Sequence, residues 1–195
     1  MQKRKIIILG GQGFVGLNII NSIILKQNKI SCVGRKNEFF YKFVKNINHK
    51  NLEIVQQDIF NIKKLSKIDF TNSIVLFSAS NSKIKKKIFE KKIFVLFNFL
   101  LRFSINKIFI FSSISVYGNN LKFINEKTFI KPISNYARNC IVVEKHINTF
   151  FKKSDCKIYI FRIANIFGFP KNSLGLIEQI IFNHVIFNKY TFDKS

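Results

Sequence analysis

Residues 5–16 read KIIILGGQGFVG: a short apolar run followed at once by a glycine-rich turn. An unbroken apolar run predicts a strand buried on both faces, because a half-buried strand alternates apolar with polar side chains. The glycines satisfy both the GxxGxxG spacing (Gly10, Gly13, Gly16) and the GxGxxG spacing (Gly11, Gly13, Gly16). Between a strand and a helix, such glycines permit a tight turn, let backbone approach a diphosphate, and let the helix pack closely on the strand. The N-terminus of the helix itself attracts an anion. Gly10, Gly11, Gly13, Phe14, Val15 and Gly16 are therefore the expected contacts of a dinucleotide.

Outward from this turn the chain repeats the same alternation. KIIILG (5–10), KISCV (29–33), LEIVQ (52–56), SIVLFS (73–78), KIFIFSS (107–113) and KIYIFR (157–162) read as strands. Segments of helical length lie between them at 14–27, about 39–47, about 61–67, 84–104 and 135–152, and another is predicted at 174–188. Strand–helix alternation of this kind predicts an α/β fold of Rossmann type, a doubly wound parallel sheet with helices on both faces. At 195 residues and 47% hydrophobic content, one domain over 1–195 is expected. The first apolar run is too short for a signal-peptide core. IFVLFNFLL (93–101), flanked by lysines, falls short of the ~20 residues that span a bilayer, so no membrane association is expected.

Lys and Arg number 33 against 10 Asp and Glu, a formal charge of +23. Taken alone that charge suggests a polyanionic partner such as nucleic acid. Ile (34), Lys (28), Phe (24) and Asn (22) nevertheless make up 108 of 195 residues, and all four have AT-rich codons. Base composition thus accounts for the lysines, which are scattered instead of gathered into an arm or stripe, and nucleic-acid binding is not expected. Cys32, Cys140 and Cys156 are too few and too irregularly spaced for a disulfide framework or a zinc site. A reducing cytoplasm and no metal are the corresponding expectations.

A 2′-hydroxyl reader would be an acidic residue near 34 or 35, but VGRKN places Arg35 and Lys36 there. Their charge suits a 2′-phosphate, which favours NADP over NAD. Asp58, after the third strand, is placed to meet an adenine edge; the competing role is an early N-cap for the helix beginning near Asn61.

With these motifs in hand, the sequence from residue 5 to about 190 resembles the extended short-chain dehydrogenase/reductases, specifically the NAD-dependent epimerase/dehydratase group acting on nucleotide sugars. GGQGFVG is similar to that family's glycine loop, and QQDI, with Asp58 and Ile59, to its adenine-side motif. Ser78, Ala79 and Ser80 stand where the fourth strand ends beside the cofactor. FSSISVYG resembles the serine motif, with Ser113 four residues before Tyr117. SNYARNC resembles SxYxxxK, with Tyr136 as the tyrosine, and FRIANIFG resembles RxxNxxG, with Asn165 facing nucleotide-sugar phosphates. The resemblance implies NAD or NADP as cofactor and transient hydride transfer at a sugar carbon. It also implies acid–base work by Tyr136, which touches the cofactor, and substrate binding by Ser113.

Cys140 departs from the family pattern, occupying the place of the lysine that lowers the tyrosine pKa and binds the nicotinamide ribose. A thiol of reference pKa ~8.5 becomes negative and cannot stabilise a phenolate whose own reference is ~10. Lys145 lies about half a turn round the helix from Tyr136, and Arg138 also points elsewhere, so neither is expected to substitute. EKKIFV (90–95) lacks the family's usual Asn, and from about 165 to 195 the substrate lobe is expected only to begin. The expectation is an impaired or non-catalytic dinucleotide-binding protein if the site does not turn over. The resemblance further implies a homodimer through the helices at 84–104 and 135–152.

Overall fold

The computed structural model describes residues 4–23, 28–35, 50–79, 83–118 and 123–166. Six strands, β1 (Lys5–Leu9), β2 (Lys29–Gly34), β3 (Leu52–Gln56), β4 (Ser73–Phe77), β5 (Lys107–Ser113) and β6 (Lys157–Ile163), form one sheet in the order β3-β2-β1-β4-β5-β6. Every pairing is parallel. The connecting helices are α1 (Phe14–Ile23), α2 (Ile62–Leu65), α3 (Lys86–Leu100) and α4 (Asn135–Phe150), with a 3₁₀ turn at Ile114–Tyr117. The doubly wound parallel sheet expected from the sequence is thus the observed architecture.

Residue alternation sends each strand into two cores. Ile6 and Ile8 of β1 join Ile30, Cys32 and Leu76 under Leu17 and Ile20 of α1. Ile7 and Leu9 point the other way, joining Val75, Phe77 and Ile108 under Phe89, Ile93 and Phe97 of α3 and Val143 and Ile147 of α4. Having a core on each face is why β1 contains no polar residue after Lys5. The edge strand β6 has Tyr159 and Phe161 exposed instead, stacked beside Phe109 and Phe111.

Several element limits differ from the sequence expectations. The helix expected at 84–104 covers Lys86–Leu100, and the one at 61–67 is a single turn, Ile62–Leu65. Strand β1 stops at Leu9, and Gly10 turns with φ +89°. The helices expected at 39–47 and 174–188, residues 24–27 of the first helix, and the start of a substrate lobe over most of 165–195 lie outside the described residues. Among the described residues no helix is long and apolar enough to cross a membrane.

The order of strands fixes where a ligand can sit. Connections from β1 and β4 leave in opposite directions at the centre of the sheet, opening a crevice at the carboxyl ends of these two neighbours.

Candidate dinucleotide and acid–base site

The glycine turn lies at that crevice. A β-carbon on Gly10 would come within 2.8 Å of the Ala79 backbone nitrogen, and one on Gly16 within 2.4 Å of Gly11 Cα. Gly10 therefore supplies both the left-handed turn and the close approach of the β4 loop, while Gly16 seats α1 against the turn. Gly13 is exposed, and its carbonyl accepts from Leu17 N at 2.9 Å as α1 begins. Phe14 and Val15 are half-buried in the first turn of α1. The first amides of an α-helix have no acceptor within the helix, so a diphosphate fits this cradle.

The other cofactor-side residues divide. Ser78 Oγ donates to Gly10 O at 3.1 Å, tying the end of β4 to the glycine turn, and Ala79 follows it. Asp58 is exposed and accepts from Phe60 N at 2.9 Å, whereas Asn61 Oδ1 accepts from Lys64 N and caps α2. Asp58 is thus not the helix cap, and the competing role for it falls away. The Ile59 side chain is buried in the core under α3. Arg35 is exposed just beyond β2. Ser80 and Lys36 lie outside the described residues.

The residues expected to do acid–base work stand on β5 and α4. Ser113 ends β5, its Oγ accepting from Ser115 N at 3.2 Å, which leaves its O–H able to donate. Ser134 caps α4 by accepting from Ala137 N at 3.0 Å, and the half-buried Tyr136 stands in the first turn. Tyr136 and Cys140 pack with Val116, Tyr117 and Ile141. The Cys140 thiol makes hydrogen bonds with the Tyr136 and Ser112 side chains, yet burial pushes its pKa up to about 11 and the Glu144 carboxylate adds to the rise. The thiol is therefore neutral near pH 7 and, as expected from the sequence, brings no positive charge to Tyr136. Arg138 and Lys145 are exposed on other faces of the helix, as expected. Asn165 is exposed beyond β6.

Behind this cluster stands a charged network that the sequence did not disclose. Buried Glu144 receives both Arg162 Nε (3.1 Å) and Nη2 (2.7 Å), and Ser112 Oγ donates to it at 2.5 Å. Arg162 Nη1 donates to Tyr117 OH at 2.7 Å. The parallel register sets Ser112 opposite Arg162, so β5 and β6 bring the network together. The Arg162 guanidinium is held further protonated, chiefly by its hydrogen bonds to Glu144. The available signals were Arg162, the arginine of the RxxNxxG-like FRIANIFG, and an acid amid apolar residues, VVEKHI, two turns beyond Tyr136. A cleft beside Cys140, lined by Ala79, Phe89, Phe111, Ser112 and Asn139 among others, connects the β4 end to this network. Among the described residues no three His, Cys, Asp or Glu side chains could hold a metal ion.

A model described as the NAD dependent epimerase/dehydratase family matches residues 6–185. A curated relative, the "Putative UDP-glucose 4-epimerase" of Methanocaldococcus jannaschii, is 27% identical over 196 residues, covering 90% of this chain and 61% of the relative. UDP-glucuronic acid 4-epimerase from Bacillus cereus, in complex with UDP-glucuronic acid and NAD, superposes with a TM-score of 0.76 at 16% identity, covering 93% of this chain and 63% of that one. UDP-N-acetylglucosamine 4-epimerase from Methanobrevibacter ruminantium M1, in complex with UDP-N-acetylmuramic acid, gives 0.76 at 22% identity, covering 95% and 64%. The chain spans about three fifths of the length of these relatives.

Proposed function

The chain belongs to the NAD-dependent epimerase/dehydratase family, and we propose that it binds NAD or NADP at the glycine turn and acts on a nucleotide sugar. The observation that carries this reading is the meeting of the glycine turn, Ser78 and Ala79 at the β1/β4 crevice. Tyr136 rises at the head of the helix packed on β5, the strand that ends in Ser113.

When bound, the dinucleotide supplies reversible hydride acceptance from a sugar carbon. Ser113 donates its hydroxyl hydrogen to the sugar oxygen at that carbon and orients it. Tyr136 exchanges the proton of the same oxygen, taking it as the carbon is oxidised and returning it as the carbon is reduced. Glu144, Arg162 and Tyr117 act from behind, fixing α4 against β5 and β6 and with it the position of Tyr136. Asn165, beyond β6, is assigned to the sugar-nucleotide phosphates, and Asp58 to the adenine edge. A homodimer through α3 and α4 is supported by Ile88, Phe94 and Val95, all exposed on α3.

Cys140 favours a second reading, dinucleotide binding with turnover weak or lost. A buried neutral thiol offers a Tyr136 phenolate no positive charge, and well-placed acid–base catalysis contributes about 10² to 10⁴ in rate. Calorimetry with NAD and NADP, followed by turnover of a panel of UDP-, GDP- and dTDP-sugars, tests both. Binding with turnover supports the first reading, and binding without it supports the second. No binding of either dinucleotide would reject both. Cys140→Lys is expected to raise turnover by ~100-fold near neutral pH and to move the pH–rate profile to lower pH.

A further inference from the structure

We propose that the side-chain amide of Gln12 reads the adenosine ribose of the dinucleotide, its carbonyl oxygen accepting from the 2′-hydroxyl; this rests on the dinucleotide site proposed above. In a βαβ dinucleotide fold the residue that meets the 2′ position stands at the end of the second strand and is commonly a carboxylate. Here β2 ends in Gly34, and a side chain there would displace the Gln12 amide. A β-carbon on Gly34 would fall 1.1 Å from Gln12 Oε1 and 2.2 Å from Gln12 Cδ. The Gln12 amide already fills the space in which a reader on β2 would begin.

That amide is unanswered. Gln12 Oε1 is buried and has no hydrogen-bond partner among the described residues. Nearby loop amides are committed elsewhere: Gly10 N and Gly11 N both donate to Val33 O, and Gly13 N donates to Gly10 O. A buried acceptor without a partner among these residues is open to a donor such as a ligand or an ordered water. A second side-chain amide is unanswered at the same end of the sheet. Gln57 follows β3, its backbone nitrogen donates to Gly34 O at 2.8 Å, and its buried Nε2 has no partner among the described residues.

Chemistry chooses between the two dinucleotides. A ribose 2′-hydroxyl is donor and acceptor at once and can answer a carbonyl oxygen or an amide hydrogen, whereas a 2′-phosphate is an acceptor facing an acceptor at Gln12. The phosphate would also need volume that Gln12 occupies. Arg35 argues for the phosphate, but it is exposed, where a single charge contributes little. The inference therefore reverses the preference for NADP drawn from Arg35 and Lys36.

The test is calorimetry of the wild type, Gln12→Ala and Gln12→Glu with NAD and with NADP, with far-UV circular dichroism as the folding control. The wild type should bind NAD at least ~10-fold more tightly than NADP. Gln12→Ala should weaken NAD by ~10-fold and leave NADP within ~2-fold, while Gln12→Glu, which keeps an acceptor, should retain NAD and bind NADP more weakly still. Should Gln12→Ala misfold, the Gln12→Glu arm decides by itself. Tighter binding of NADP by the wild type would overturn the inference, as would equal weakening or any tightening of both ligands in Gln12→Ala, or loss of NAD in a folded Gln12→Glu. Each of these leaves the dinucleotide site standing. Absence of heat from both dinucleotides in the wild type instead removes the site, and the role of Gln12 with it.

Discussion

Arg162 and Glu144 form a bidentate pair, with side-chain exposures of 20% and 7%. Glu144 cannot regain water if its partner is removed, so breaking the pair is expected to cost about 3–5 kcal/mol. Arg162→Ala should lower the urea midpoint accordingly, and Glu144→Gln, which orphans only the more exposed Arg162 guanidinium, should cost less; equal losses would argue against a buried-charge penalty. The buried thiols give a pH dependence of definite sign. Cys32 is pushed up to about 12 and Cys140 to about 11 by burial, from an ordinary 9.0. Above about pH 9 the unfolded chain releases protons that the folded chain retains, so stability is full below that pH and falls as pH rises toward 11 and 12, by about 1.4 kcal/mol per pH unit per thiol. Urea unfolding between about pH 8 and about pH 10 should fall less steeply in Cys32→Ala than in the wild type. Tyr136, Ser113 and Cys140 were legible because each stands at a fixed offset within a short motif. Glu144 was not, because its partners, Ser112 and Arg162, are joined to it only by the β5–β6 register.

Elements read best where their burial was uniform. β1, β2 and β4 announced themselves because both faces are covered and polar residues are therefore excluded. Helix ends were harder: Leu101 and Phe103 extend the apolar pattern of α3 although the backbone has already turned, with Arg102 N donating to Phe99 O. Burial also ranks the helices' contributions to stability. Phe97 of α3 is fully buried, with ring contacts to Phe77, Phe150 and Phe151. Phe97→Ala should cost about 3–5 kcal/mol through lost apolar burial and the cavity left behind. Ser134→Ala removes one capping bond at the exposed start of α4 and should cost about 1 kcal/mol. Chemical denaturation of the two variants should keep this order; a larger loss in Ser134→Ala would mean that the cap, not the two-sided core, holds α4 on the sheet.

At the scale of the whole molecule the dominant facts are the charge of +23 and the apolar stripe of Ile88, Phe94 and Val95 on α3. Neither shows in a motif, and they oppose one another: apolar area favours pairing of two copies, while their like charges resist it. Phe94 is 51% exposed even though its ring rests edge-on against Phe150 of α4, so half of a large apolar side chain still faces solvent. Screening weakens the repulsion, since the Debye length falls from about 30 Å at 0.01 M salt to about 8 Å at 0.15 M. Burial of apolar surface is little affected over that range. The proposed homodimer should therefore tighten as sodium chloride is raised, the reverse of what a complex held by salt bridges would do. Sedimentation velocity at the two salt concentrations should find more dimer at the higher one. Phe94→Glu should abolish the dimer at both, because it places a charge among the exposed apolar residues of α3. A wild type that is monomeric at every salt concentration, or a Phe94→Glu variant that still dimerises, would remove α3 as the interface and leave the stripe as ordinary exposed surface.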